Sequence, residues 1–368
     1  MLRFLHAADL HLCSPMAAFS PKVAAERRHR QLEALEQLLA TAVSEGAQMI
    51  LLAGDVFDTP TPDADGAARL FAILAEQPGP VVIAPGNHDP WCRGGVWERT
   101  ALPRNVYVFD TAELGCFDFA GLGAAVYGYA FCAETMSAPE LCDADDLIKN
   151  RTSVLLAHAD LLSPLSPYAP ITAGQLERTG FSYAALGHIH KPCESRRYGR
   201  TVAAYSGFFA GRGFDEVGVG RALLVEIEGS HVQTRVLEST ADRFEIMEYD
   251  CTGAQSGEEI RVRLRRYLEE LPCTPHTALR LVLTGHVGVA CHVSVTELSA
   301  LGARFALFEV RDETLPLLDG AYLEKDPTIR GAFYRALLPR LTAADSEIRA
   351  QAAAALRLGL AALAGKEV

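Results

Sequence analysis

None of the nine cysteines in this chain of 368 residues stands in a C-x-x-C pair; they fall singly at positions 13, 92, 116, 132, 142, 193, 251, 273 and 291. An odd, unpatterned set of this kind speaks against a disulfide framework and for reduced thiols in a cytoplasm. No apolar stretch approaches the length that crosses a bilayer. Asp9 and His11 interrupt the first apolar run too early for a secretory signal. Positive charge is short as well. Thirty-four Lys and Arg stand against 46 Asp and Glu, a formal net charge of −12, which argues against holding nucleic acid by broad electrostatic attraction. An anionic substrate then needs a local positive centre or a partner. The sequence shows no internal repeat and no low-complexity segment.

What is present is the make-up of a soluble globular protein, 49% hydrophobic and 22% charged, at a length that predicts two domains. Over the first 230 or so residues, short apolar runs alternate with helical patterns. QMILLAG (48–54), PVVIAPG (80–86), TSVLLAH (152–158) and YAALGH (183–188) read as strands; 24–46 and 63–77 read as helices. Continuous rather than alternating apolar strands predict a sheet covered on both faces by helices. Residues 222–238 read as a hairpin turning at Glu228-Gly229-Ser230. After a boundary near 239–243, a smaller α+β unit is expected: strands at 244–249 and 277–285, a helix through 258–271, and a helix-strand pair through 294–310. The tail from about 322 reads as helical. Ile348, Ala352, Leu356, Leu360 and Leu363 fall on one face of its last helix, fit to pack on the chain's own core or on a partner.

Each of the early apolar runs carries metal-type ligands at or just past its end. HAADLHL (6–12) offers Asp9 and His11; in an extended segment residues two apart share a side, with Leu10 turned to the core. GDVFD (54–58) offers Asp55 and Asp58, GNHD (86–89) offers Asn87, His88 and Asp89, LLAHAD (155–160) offers His158 and Asp160, and GHIH (187–190) offers His188 and His190. Loops at the carboxyl ends of strands in an α/β sheet gather along one edge, and glycines at 54, 86 and 187 let the backbone turn tightly beneath a ligand. Any one cluster is ordinary; the ordered set is specific. Nitrogen and oxygen donors without thiolate suit manganese, iron or zinc. Cys13 and Cys92, near these motifs, are soft ligands or, more simply, small buried fillers.

The ordered set DLH, GDVFD, GNHD, H, GHIH resembles the calcineurin-like metallophosphoesterase superfamily. The HAADLHLCSP opening, GNHD and the trailing second unit look most like its SbcD/YhaO branch of DNA repair exonucleases. The motif match spans residues 6 to 190; beyond that only the architecture is similar. The resemblance implies an α/β fold of the four-layer α+β type, a central β-sandwich flanked by helices with a small C-terminal α+β cap domain. Its domains would be residues 1–240 for the dinuclear site, 244–320 for the cap and 322–368 for a C-terminal helical segment. It implies one metal held by Asp9, His11 and His190, a second by Asn87, His158 and His188, and Asp55 bridging the two, with manganese favoured by family habit. His88 would lie beside the metals as the catalytic residue. A bridging hydroxide would attack phosphorus in line while His88 assists the leaving oxygen.

Two such cations bring four positive charges and Asp9 and Asp55 return two, so an acidic protein can still attract phosphate at one spot. Asp58 and Asp89 either orient imidazoles or form turns. Some relatives carry a histidine three positions after the bridging aspartate; here it is Asp58, so a two-histidine mechanism does not carry over. Phosphomonoesterases of the superfamily grip a terminal phosphate with arginines beside these motifs, whereas here Thr59-Pro60 follows GDVFD and Pro85 precedes GNHD. That favours a diester, and the second unit favours DNA over a small phosphodiester, the main alternative; a non-catalytic scaffold is the weaker one. Arg196, Arg197 and Arg200 are candidate DNA contacts, whereas Arg261, Arg263, Arg265 and Arg266 read better as a solvated face. In this branch an SMC-type (SbcC-like) ATPase partner supplies much of the DNA grip, and a homodimer is a further expectation.

Overall fold

The computed structural model describes all residues except 192, 272–275, 289–290, 318–319 and 364–368. The chain separates into two compact units, Met1–Phe244 and Glu245–Val368. Among the described residues, no helix is long and apolar enough to cross a membrane.

The first unit is built on two six-stranded sheets. In one, β1 (Leu2–Ala7), β2 (Met49–Leu52), β3 (Val81–Ile83) and β4 (Val106–Val108) run parallel, and the hairpin β11 (Arg221–Glu228) and β12 (His231–Glu238) adds antiparallel to β1. In the other, β6 (Ala124–Gly128), β7 (Thr152–His158), β8 (Tyr183–Gly187) and β10 (Thr201–Tyr205) run parallel between the antiparallel edges β5 (Gly115–Phe119) and β9 (Arg196–Tyr198). The hairpin turns between Glu228 and His231, where the sequence predicts it.

One layer of side chains lies between the sheets: Phe4, Leu51, Val82 and Val225 from the first, Val126, Val154, Leu156, Ala185 and Ala204 from the second. The outer face of the first sheet buries the leucine stripe of α1 (Pro21–Ser44) and the apolar face of α2 (Ala64–Ala75). The outer face of the second is covered by Phe131, Ile171 and Phe181 with Leu176 of α4 (Ala173–Thr179); between α2 and α4 lies a single turn, α3 (Val96–Arg99). This is the four-layer sandwich that the resemblance implies. The strand pattern alone predicts one sheet between two helical layers. A continuously apolar strand reports that both faces are buried, but not whether a helix or another sheet covers them.

Local chemistry sets the boundaries. Pro21 starts α1, where its fixed φ is pre-organised and its missing N–H is no loss. Asp63 caps α2, accepting from the Gly66 amide at 2.7 Å. Buried on the face of α1, Gln31 donates at 2.6 Å to the Leu10 carbonyl, so the helix supports the loop after β1.

The second unit holds a three-stranded sheet of β13 (Arg243–Asp250), β14 (Thr277–Thr284) and β16 (Leu307–Asp312), with α5 (Gly257–Glu270) and α6 (Val295–Ser299). Ile260, Leu264 and Leu268 of α5 pack on Leu279, Leu281 and Leu283 of β14. A two-stranded pair, β15 (His286–Val287) and β17 (Leu315–Pro316), follows, then α7 (Gly320–Lys325), α8 (Ile329–Leu341) and α9 (Ser346–Leu363). Leu356 and Leu360 of α9 form a small core with Leu323, while Ile348 and Leu363 at the ends of the same stripe are exposed. The middle of the stripe therefore packs on the chain's own core.

Candidate metal centre

Five strands end on one rim. His158 is the last residue of β7; the other candidates lie in the loops after β1, β2, β3 and β8. These loops brace one another. The Asp9 amide donates to the Gly54 carbonyl (3.1 Å) and the His11 amide to that of Asp55 (2.9 Å). The Asp9 carboxylate accepts from the His188 amide (3.0 Å), and Asp55 from the His88 amide (2.9 Å).

Asp9 and His11 are not on the strand. β1 stops at Ala7, and Asp9 and His11 adopt the left-handed region with φ of 51° and 43°, as do Asp55 (48°) and His188 (98°). The expectation that strand alternation aims Asp9 and His11 together reaches the right place for the wrong reason. A run of positive φ, uncommon outside glycine, turns both side chains to the rim.

Ligand atoms of Asp9, His11, Asp55 and His190 lie within 4.8 Å of one another. His11 Nε2 and His190 Nε2 face each other at 3.2 Å, and His11 Nε2 stands 3.6 Å from Asp55 Oδ2. On the other side of Asp55, His158 Nε2 lies 3.4 Å from Asp55 Oδ2 and 3.0 Å from Asn87 Oδ1, and the His188 ring packs edge-on against that of His158 at 5.2 Å between centroids. All seven predicted ligand positions thus meet around Asp55. His88 adjoins them with its side chain 43% exposed, its ring 4.8 Å from that of His11 and its Nδ1 3.7 Å from Asp58 Oδ1.

The two remaining aspartates separate. Asp58 accepts from His11 Nδ1 at 3.0 Å, and so orients an imidazole. Asp89 touches no imidazole by hydrogen bond. It is fully buried and accepts from the amides of Gly86 (2.8 Å), Val56 (2.9 Å) and Phe57 (3.1 Å), lacing two motif loops together. Asp160 likewise closes its own turn, accepting from the Leu162 and Ser163 amides.

The charges are tightly interdependent. Burial pushes Asp9 above the usual carboxylate range, against the pull of His158 and His190. Burial would raise Asp55 too, but His158 beside it outweighs that and holds it well below. Burial would lower His158, yet Asp55 and Asp9 raise it to about 9. Burial and the His158 charge lower His188 to about 4.

Two residues that the motifs do not mark complete the site. Glu216, 3% exposed, accepts from His190 Nδ1 at 2.7 Å, and Arg212 bonds both Glu216 (2.6 Å) and Asp58 (2.7 Å). Against the opposing effect of burial, the His190 and Arg212 bonds hold Glu216 below its ordinary range. Both sit in the loop between β10 and β11, in the stretch GRGFDE, whose composition reads only as a glycine-rich turn.

The arginines after GHIH go elsewhere. Arg197 and Arg200 line a hollow with Gly180, Phe181, Ser182 and Ser230, at the start of β8 and β10. A five-residue strand separates that end from the rim, about 15 Å at the usual rise. Arg196 lines a mostly apolar hollow with Leu161, Cys193 and Tyr205. In the second unit, Arg261, Arg263 and Arg266 each pair with a glutamate on the same helix, which suits a solvated face.

Residues 2–192 match the family model described as calcineurin-like phosphoesterase. The chain is 31% identical over 201 residues to the uncharacterized metallophosphoesterase YhaO of Bacillus subtilis, covering 52% of this chain and 49% of that protein. It is 28% identical over 250 residues to the DNA double-strand break repair protein Mre11 of Aeropyrum pernix, covering 62% and 59%, respectively. To the SbcD component of the SbcCD nuclease of Bacillus subtilis it is 25% identical over 264 residues, covering 61% and 66%. The chain thus spans from about half to just under two thirds of the length of these relatives.

Proposed function

Because this chain belongs to the calcineurin-like phosphoesterase family, we propose that it is a metal-dependent phosphodiesterase that acts on DNA. The observation that carries this reading is the clustering of Asp9, His11, Asp55 and His190 ligand atoms within 4.8 Å.

The donor set fits a pair of divalent cations. Asp9 and Asp55 are 1% and 2% exposed, and buried carboxylates call for positive charge. His11 Nε2 and His190 Nε2 point at each other, an arrangement that needs a proton or a cation between them. Asp9, His11, Asp55 and His190 would hold one ion, and Asp55, Asn87, His158 and His188 the other. Manganese, iron and zinc all suit these nitrogen and oxygen ligands, manganese first. When bound, such a pair supplies Lewis acidity toward phosphate and makes water acidic enough to attack near neutral pH.

The chain's own residues do the rest. His88 is turned with Nδ1 toward Asp58, which leaves Nε2 to face the cleft and give a proton to the leaving oxygen. The cleft beside it, about 430 Å³, is lined by Asp58, Thr59, Pro60, Asn87, His88, Pro90, Glu134, Thr135 and Tyr168. None of these described lining residues is a lysine or an arginine, and two are acids. A terminal phosphate dianion finds no arginine fork there, whereas a diester presents one charge to the cations and a neutral nucleoside to the cleft. The relatives named as a double-strand break repair protein and as part of a nuclease favour DNA. With a net charge of −12, grip along the duplex falls to a partner protein, an SMC-type ATPase by the family resemblance.

The test is hydrolysis of bis-p-nitrophenyl phosphate, linear DNA and cyclic nucleotides with manganese, by wild type, His88→Ala and Asp55→Ala. DNA should be cleaved by wild type alone, with metal content kept in His88→Ala and lost in Asp55→Ala. Cleavage of cyclic nucleotides with DNA left intact would overturn the nuclease reading.

A further inference from the structure

The geometry points to Arg212 and Glu216 as positioning residues that lock the two histidines of one metal site, and only that site, into a single arrangement. This inference rests on the reading that Asp9, His11, Asp55 and His190 hold a cation. Both residues lie beyond residue 192, where the family model ends.

The contacts form a closed bracket. His11 Nδ1 donates to Asp58 Oδ1 at 3.0 Å, and His190 Nδ1 donates to Glu216 Oε1 at 2.7 Å. Arg212 spans the two acids, with one terminal nitrogen 2.7 Å from Asp58 Oδ1 and the other 2.6 Å from Glu216 Oε1. The Arg212 backbone amide adds a bond to Glu216 Oε2 at 2.8 Å. Each imidazole thus commits its Nδ1–H to a carboxylate, which fixes the tautomer and leaves Nε2 for a cation. The two Nε2 atoms end up 3.2 Å apart, both within reach of Asp9 or Asp55.

Arginine is required by shape as well as charge. Its planar fork reaches two acids at once, which a lysine ammonium on one flexible stem does not hold in register. Glu216 is almost fully buried, and a charge so placed must be neutralised locally. Arg212 does this, so the Glu216–His190 bond is free to orient the ring. The second group, Asn87, His158 and His188, has different supports. His158 Nδ1 donates to the Ala53 carbonyl at 3.0 Å, on a strand end the bracket does not touch. The two sites therefore differ in what holds their imidazoles, and loss of the bracket should loosen one of them.

Titration of the full chain with Mn²⁺, followed by calorimetry and by the EPR signal of free Mn²⁺, tests this in wild type, Glu216→Gln and Arg212→Lys. His11→Ala and His158→Ala mark the two sites, and circular dichroism checks the fold. Wild type should bind two ions. Glu216→Gln and Arg212→Lys should each keep, at wild-type affinity, the ion that His158→Ala loses, and should weaken by about 10–100-fold the ion that His11→Ala loses. Arg212→Lys keeps the charge, and so tests the bracket if Glu216→Gln proves unstable. Wild-type affinity at both sites in both variants, or equal weakening of both ions, overturns the inference. Wild type that binds no Mn²⁺ pair, or is unaffected by His11→Ala and His158→Ala, overturns the metal reading itself and the bracket with it.

Discussion

The Asp89 carboxyl group accepts from the Val56 amide at 2.9 Å, across 33 residues of sequence, and in doing so sets the loop of Asp55 against the loop of Asn87 and His88. The same side chain also holds the Phe57 and Gly86 amides, so three buried N–H groups depend on one residue. In Asp89→Asn, a donor replaces one of the oxygens, and at least one of those amides loses its acceptor. Urea unfolding should show a loss of about 1–3 kcal/mol, the cost of leaving a buried donor without its acceptor. Full retention of stability would show that the lacing is incidental.

Gly187 makes the opposite kind of demand, for space. A Cβ there would run into the Ala53 carbonyl oxygen and stand 2.9 Å from the Ala8 methyl, where the two sheets close on each other beneath the rim. Gly187→Ala should cost about 1–3 kcal/mol and weaken metal binding, since His188 follows directly. Gly121→Ala, with nothing within 4 Å of its added carbon, is the matched control and should be silent. Equal midpoints for the two variants in denaturant would refute the close-approach account.

The candidate ligands were readable because each sits at or just past the end of an apolar run, and the carboxyl ends of those strands share one rim. The way they are aimed was not readable: positive φ at Asp9, His11, Asp55 and His188 leaves no mark in composition. Asp58 and Asp89 look alike in sequence, and only the fold shows that one serves His11 and the other serves amides. Arg212 and Glu216 were missed because their partners lie 154 and 26 residues away, and a glycine-rich turn carries no periodicity to flag them. Arg197 and Arg200 lie away from the rim. They follow GHIH closely in sequence, yet the β9–β10 hairpin carries them to the far end of the sheet. The second sheet was half hidden, since β5 buries neither face fully, with Cys116 and Asp118 exposed, and β9 has only three residues. Short, half-wet strands give weak alternation.

Asp9 allows the metal reading to be tested by stability alone. Burial raises its carboxyl above the usual range, so at neutral pH its charge opposes folding unless a cation answers it. Asp9→Asn keeps an acceptor for the His188 amide and removes the charge. In EDTA the variant should melt at or above the wild-type temperature. With Mn²⁺ at a hundredfold excess over its dissociation constant, wild type should gain about 2.7 kcal/mol per occupied site and the variant clearly less. Thermal scans of both proteins, with chelator and with metal, decide it. A variant that is less stable in EDTA and equally responsive to Mn²⁺ would contradict the assignment of Asp9 as a ligand.

His6 gives a pH dependence that is separate from the candidate metal centre. The ring is fully buried, with Nδ1 3.0 Å from the Tyr183 hydroxyl and Nε2 3.1 Å from the Leu186 carbonyl, so a single neutral tautomer accepts from one and donates to the other. Burial lowers it to about 3, against the smaller raising effect of the Leu186 bond, from an ordinary value of 6.5. Protons therefore bind the unfolded chain more readily than the folded one. Stability from this group is complete above pH 6.5 and is lost as the pH falls from there toward 3. Linkage puts the loss at about 2 kcal/mol by pH 5. Other histidines titrate too, but they do so equally in His6→Gln, so the stability difference between wild type and His6→Gln isolates His6. Urea melts at pH 7 and pH 5 should show that difference shrinking by about 2 kcal/mol, because only wild type pays for burying a neutral ring in acid. A difference that stays constant would mean that the folded ring takes up a proton in acid as readily as the unfolded one, with the Tyr183 hydroxyl and the Leu186 carbonyl then both accepting from it.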